Sequence, residues 1–93
     1  MATNILPNAS NAEDQVSTTV AIDGVLTHNF KGTFAGCNFQ LQSQKTGGST
    51  WEPVPDYPLV RGPGAYNVEL YGSNMRWQLK NYQSGTSVDI EGD

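Results

Sequence analysis

The sequence predicts an all-β fold: an antiparallel two-sheet β-sandwich, Ig-like or jelly-roll-like, of six to seven strands with an extended N-terminal arm. Hydrophobic and polar residues alternate with a period of two along most of the chain, and turn-forming residues separate these stretches. Charged residues make up only 15% of the chain, against about a quarter in typical domains. Thr, Ser, Asn, Gln and Gly replace them, as expected for a solvated sheet surface with many turns.

Residues 1–15 are predicted to be the arm, and residues 16–93 the sandwich domain. Asn, Ala, Ser and Pro dominate the arm, and its hydrophobic residues follow neither the strand nor the helix period. Ile5 and Leu6 are adjacent aliphatic residues in this polar segment. They can dock on a partner or on the core of the domain itself, and the sequence leaves both options open.

The first strands are predicted between residues 16 and 44. Residues 16–22 alternate, Asp23-Gly24 indicates a turn, and residues 26–30 form a second strand. Gly32 and Gly36 indicate a bulge or a close approach of two backbones. The third strand directs Cys37, Phe39 and Leu41 inward and a polar ladder of Asn38, Gln40, Gln42 and Gln44 outward.

A hairpin loop at residues 46–49 returns the chain beside the third strand, and a proline-rich segment then indicates an edge or a long loop. Further strands are predicted at residues 66–70, 75–79 and 88–90, with turns at 72–74 and 83–86. The predicted core consists of Val20, Ile22, Phe30, Phe39, Leu41, Trp51, Val68, Leu70, Trp77, Leu79, Val88 and Ile90.

The residues needed for catalysis are scarce. His28 is the sole histidine and Cys37 the sole cysteine, and both occupy inward strand positions that favour structural roles. Asp89, Glu91 and Asp93 alternate on one face, which is more typical of a solvated edge than of a calcium site. We therefore predict no enzyme, no catalytic residue, no metal and no cofactor.

Charge and hydropathy exclude other classes of function. The net charge is −4 and the five basic residues are scattered, so nucleic-acid binding is disfavoured. No apolar run approaches the roughly 18–20 residues that span a bilayer, and the first residues show no signal-peptide pattern. The lone cysteine favours a reducing environment.

Aromatic residues offer an alternative function. Tyr57, Tyr71 and Tyr82 fall outside the predicted core, and they can form a sugar-stacking platform such as carbohydrate-binding β-sandwich modules use. They serve equally well at a protein interface, where tyrosine is enriched.

The middle of the chain has a Gly-x-Phe-x-Gly entry at residues 32–36, an alternating strand that ends in Leu-Gln, a Gly-Gly hairpin and a Trp-x-x-Val exit at residues 51–54. With these motifs it resembles small β-sandwich virion proteins of tailed bacteriophages. Residues 64–70 and 75–79 continue it, and Arg76 matches an arginine that is frequent in the exit strand of such proteins. Lys45-Thr46 departs from the usual Asp at the hairpin, so the turn type stays open.

The resemblance implies a virion structural protein, a capsid decoration (cement) protein that stabilises the head exterior. Such proteins are commonly homotrimers bound to the major capsid protein or another virion protein, after synthesis in the host cytoplasm. The alternative is a carbohydrate-binding or host-recognition module, as a tail or head-fibre component that binds a glycan. The first reading predicts protein contacts at Ile5, Leu6, Tyr57, Leu59, Val60 and Arg61.

Overall fold

The computed structural model describes residues 3–9, 15–54 and 56–92, with side chains from residue 15 onward. This part of the chain contains no helix, and its strands form one antiparallel sheet in the order β1-β6-β2-β5-β3-β4. The all-β prediction is confirmed. The strands are β1 (Thr3–Ala9), β2 (Val20–Thr33), β3 (Asn38–Lys45), β4 (Glu52–Pro53), β5 (Gly64–Lys80) and β6 (Ser87–Gly92).

The N-terminal segment that the sequence assigns to an arm contributes the end strand of the sheet. β1 pairs with β6, with Thr3 opposite Gly92 and Ala9 opposite Val88. Register shifts interrupt the pairing on both sides of Leu6. The two paired segments lie at opposite ends of the sequence, so no local pattern indicates this pairing.

The first predicted strand begins later than its alternation suggests. β2 starts at Val20, whereas Val16 forms an isolated bridge with Gln78 and is 37% exposed. Ser17 is buried instead, because its hydroxyl accepts the Trp77 backbone N–H at 2.8 Å. A polar residue thus takes the inward position that the period assigned to Val16.

β2 and β5 continue through the two places where the sequence predicts turns. Ile22 pairs with Ser73 and Gly24 pairs with Leu70, so Asp23 faces two residues of β5. The backbone of Gly72 lies in the left-handed region at φ +55°, and its N–H donates to Asp23 Oδ1 at 3.1 Å. The turn-forming residues therefore build a β-bulge inside long strands, and such bulges bend a strand and increase its twist.

β5 bends strongly around the core. Its 17 residues would extend about 56 Å at roughly 3.3 Å per residue, yet the longest dimension of the molecule is 36 Å. Phe30 pairs with Gly64 at one end of β5, while its ring lies 5.0 Å from the ring of Trp77, thirteen residues further along β5. Two distant parts of the sheet therefore face each other.

A tight turn links β2 to β3, which are not neighbours in the sheet. The Cys37 N–H donates to the Phe34 carbonyl at 2.9 Å, and Ala35 and Gly36 both have positive φ. At Gly32, a Cβ would lie 2.1 Å from the Ser87 carbonyl oxygen, so the predicted close approach is confirmed there. Together these positions carry the chain from β2 across the core to the far side of β5.

Aromatic rings fill the centre of the core. Phe30 contacts the rings of Phe34, Phe39, Tyr66 and Trp77 at centroid distances of 5.0–6.3 Å. Nine of the twelve predicted core residues are buried; Val20 and Leu70 are partly buried against the core, and Trp51 lies elsewhere. The buried hydrophobic residues are Ile22, Phe30, Phe34, Cys37, Phe39, Leu41, Val60, Val68, Met75, Trp77, Leu79, Val88 and Ile90.

Candidate binding face

The outer surface of β3 and of the second half of β5 carries uncharged amide side chains around one arginine. We call it the amide face. Antiparallel pairing sets its rows, because Gln40, Gln42 and Gln44 lie opposite Gln78, Arg76 and Asn74 respectively. These side chains are all half-buried. The predicted outward direction of the glutamine ladder is confirmed.

Side-chain hydrogen bonds join neighbouring side chains of the amide face in two groups. Arg76 Nε donates to Gln42 Oε1 at 2.6 Å, and Gln42 Nε2 donates to Gln78 Oε1 at 2.9 Å. Asn74 Nδ2 donates to Gln44 Oε1 at 3.2 Å. Because both ends of the Gln42 amide are engaged, its orientation is fixed, and it holds the arginine in place.

Trp51 belongs to this face, so its prediction as a core residue is wrong. The guanidinium carbon of Arg76 lies 4.3 Å from the centroid of the indole, a cation–π contact. Pro53 pairs with Gln42, which puts Pro53 and Trp51, two residues before it, on the outer side. The pairing of Pro53 with Gln42 determines the side on which the Trp51 ring lies. The hydrophobicity of Trp51 predicts the core, and the sequence pattern does not include this pairing.

The amide face carries no carboxylate in its strand rows. Lys31 forms an ion pair with Glu91, whereas Arg76 has no acidic partner within the part of the chain that the structure describes. A half-buried cation without a counter-charge, beside ordered amides and an indole, is suited to bind a polar anionic ligand.

A polar concavity of about 370 Å³ lies on the opposite side of the β3–β4 hairpin. Gly48 N–H donates to the Lys45 carbonyl at 2.7 Å and Gly47 has φ +83°, the pattern of a type II turn. The hairpin that begins at Lys45-Thr46 therefore has a type II turn. Hydroxyls and one charge of each sign line the concavity: Ser43, Lys45, Gly48, Ser49, Thr50, Glu52 and Ser73.

The predicted contact residues of the long loop do not form one exposed surface. Val60 is buried and exchanges backbone hydrogen bonds with Phe39, so it is part of the core. Leu59 is half-buried and Arg61 is exposed. The Tyr57 ring lies 5.7 Å from that of Trp77. Its hydroxyl donates to a backbone carbonyl at 2.8 Å, and burial raises the pKa of its phenol.

The other two predicted contact residues, Ile5 and Leu6, lie in β1, and their side chains are outside the described part of the structure. Their backbone belongs to the strand that ends the sheet order.

The three tyrosines considered for sugar stacking are not brought together as one platform. Tyr57 and Tyr82 pack partly against the core. Tyr71 is 63% exposed, and its hydroxyl donates to Glu69 at 2.6 Å, which raises the pKa of Tyr71. Trp51 lies beside Arg76 and the hydrogen-bonded amide of Gln42.

His28 and Cys37 lie in the core, at 1% and 2% exposure. Trp77 Nε1–H donates to His28 Nδ1 at 2.9 Å, so this ring nitrogen is unprotonated and accepts. Within residues 15–54 and 56–92, no three metal-ligating side chains gather as a metal site. Asp93, part of the acidic C-terminal row, is outside the described residues.

The described segments include no helix able to cross a membrane. Comparison with protein-family models, curated proteins and solved structures gives no match to this chain.

Proposed function

We propose that the protein is a structural component of a tailed-bacteriophage virion, a decoration protein that binds the head exterior and stabilises it. The stretch that resembles such proteins spans the end of β2, the turn after it, β3 and β4. It supplies Phe30, Phe34, Phe39 and Leu41 to the core. The resembling residues are thus the ones that stabilise the fold.

The observation that carries the proposal is the position of β1. It ends the sheet order, so one of its edges pairs with β6 and its other edge has no strand partner among the described segments. A free strand edge is a template for pairing with another chain. In a virion protein, this edge would meet the major capsid protein or another copy in a homotrimer.

The proposal includes the sandwich architecture with its N-terminal arm. The contact between Phe30 and Trp77 across the bent β5 supports two packed layers. In this arrangement the segment that the sequence assigns to an arm contributes the end strand β1, whose outer edge can pair with a neighbour.

Co-sedimentation with phage heads tests the proposal. Heads of the phage that encodes the chain, prepared without the protein, should bind the purified protein and pellet it. An Ile5→Asp, Leu6→Asp variant should lose most of this binding. Val25→Asp is the matched control, since Val25 is 59% exposed on a different strand, and it should bind like the parent.

Circular dichroism of each variant separates lost binding from lost folding. Light scattering of the parent should give the mass of a trimer. A monomer that never pellets with heads would contradict the proposal.

A further inference from the structure

We propose that the amide face binds an oligosaccharide that carries carboxylated sugars, with the Trp51 indole against a sugar ring and the Arg76 guanidinium paired to a carboxylate. This inference goes beyond the virion proposal and is independent of it. It concerns the surface of β3 and β5, at the other end of the sheet order from β1.

Arg76 is held in position for an anion before any ligand binds. Its Nε–H donates to Gln42 Oε1 at 2.6 Å, and its guanidinium carbon lies over the Trp51 indole, 4.3 Å from the ring centroid. The two terminal nitrogens remain, and they match the two oxygens of a carboxylate. Since Arg76 is half-buried and no described carboxylate pairs with it, an incoming anion supplies the charge that the face lacks.

The amides beside Arg76 provide hydrogen bonds for hydroxyl groups. The side-chain oxygens of Gln78 and Gln44 each accept a hydrogen bond from a neighbouring amide, so the NH₂ groups of both can donate to a ligand. Asn74 donates its NH₂ to Gln44, so its side-chain oxygen can accept a hydrogen bond from a ligand. These groups lie in rows about 6.6 Å apart along β5. A polyhydroxylated chain can use both kinds of group in succession.

The indole of Trp51 supplies the apolar part of the site. Arg76 covers one face of the ring, and Trp51 is not among the residues packed against the core. Trp51 is partly exposed, and its indole is suited to the C–H face of a sugar, because a flat aromatic ring offers a large contact area with few rotatable bonds. An aromatic ring beside fixed amides can contact both the C–H face and the hydroxyl groups of a sugar, and a simple ion offers neither.

The charge balance favours a sparsely charged glycan over nucleic acid. The whole chain carries −4, and a polyphosphate needs many basic contacts, whereas the rows of this face contain Arg76 and Lys80. A carboxylated sugar needs one cation and several neutral groups. That is the composition of the amide face.

Isothermal titration with a uronic-acid hexasaccharide tests the proposal, with maltohexaose as the neutral counterpart. The parent should bind the uronic hexamer with a Kd of about 1 mM or tighter and bind maltohexaose more weakly. Trp51→Ala and Arg76→Gln should each weaken binding of the uronic hexamer about tenfold or more. Tyr71→Ala is the control on another surface and should leave the Kd unchanged.

Three results would overturn the proposal. The first is the absence of both binding heat in the titration and NMR chemical-shift changes in the protein at about 10 mM uronic hexamer. The second is a Trp51→Ala variant that folds and binds like the parent. The third is equal binding of poly-glutamate, which would show simple ion pairing. Urea unfolding of each variant checks that the fold is retained.

Discussion

An indole contacts a nitrogen-bearing side chain on each side of the second half of β5, but one pair is buried and the other is partly exposed. On the inner side, Trp77 is fully buried and donates its indole N–H to His28. On the outer side, Trp51 covers Arg76, which donates to an amide. Each side joins an indole to a nitrogen-bearing side chain. The inner pair has no access to water, and the outer pair does.

The two pairs differ in how much they contribute to the free energy of unfolding. A buried donor that loses its partner has no water to replace it, so breaking the inner pair reduces the free energy of unfolding. Around Arg76, water can replace a lost partner, so breaking the outer pair costs little stability. The inner side therefore stabilises the fold, whereas the outer side contributes little to stability and is available for the glycan binding that we propose.

The largest effect is expected from Phe30→Ala. Phe30 contacts four other aromatic rings, and truncating a buried phenylalanine typically costs about 3–5 kcal/mol of unfolding free energy. Urea unfolding followed by circular dichroism measures the loss, with Tyr71→Ala as an exposed aromatic control within about 0.5 kcal/mol of the parent. If the alanine variant does not fold, Phe30→Leu should cost about 1 kcal/mol. A loss below that for Phe30→Ala would contradict the core assignment.

The next effect isolates the inner hydrogen bond. His28→Leu leaves the Trp77 N–H without an acceptor, and Trp77→Phe leaves His28 Nδ1 without its donor. Each should cost about 1–3 kcal/mol. The double variant should cost less than the two losses added, by about 1 kcal/mol, because it leaves neither partner of this hydrogen bond without the other. Strict additivity in urea unfolding would show that the two side chains are not coupled.

A smaller effect is expected at the bulge that bends β5 between its two halves. Gly72→Ala places a Cβ at φ +55°, which costs about 1–2 kcal/mol. The matched control is Gly62→Ala, where a Cβ meets no atom within 4 Å and φ is not in the left-handed region. The Gly62 variant should match the parent or be slightly more stable. Equal thermal midpoints for both variants would contradict the bulge geometry.

The smallest effect on stability is expected on the amide face. Arg76→Gln removes the contact with the Trp51 indole and the Nε–H bond to Gln42 at a partly exposed site, where water can replace the lost partner, so the cost should be about 1 kcal/mol or less. Its urea midpoint should therefore stay close to that of the parent. A loss near that of His28→Leu would remove the distinction between the two sides.

Local alternation was sufficient to predict the all-β fold and both faces of β3, since one period of two assigns Leu41 inward and Gln42 outward. It was not sufficient where distant residues meet. Asp23 and Gly72 are each typical of a turn. In the structure they lie opposite each other in paired strands, so the two predicted turns are replaced by one β-bulge. Trp51 is hydrophobic, but its pairing register directs it outward. β1 pairs with the opposite end of the chain, which no local pattern encodes.

Hydrogen exchange of the two indole N–H groups tests the central distinction most directly. The chain contains two tryptophans, so a ¹⁵N-labelled sample gives two indole signals that a Trp51→Phe variant assigns. We expect slow exchange for Trp77 Nε1–H, which is buried and bonded to His28, and fast exchange for Trp51 Nε1–H. Two signals with equal protection, or a protected Trp51 beside an exchanging Trp77, would contradict it.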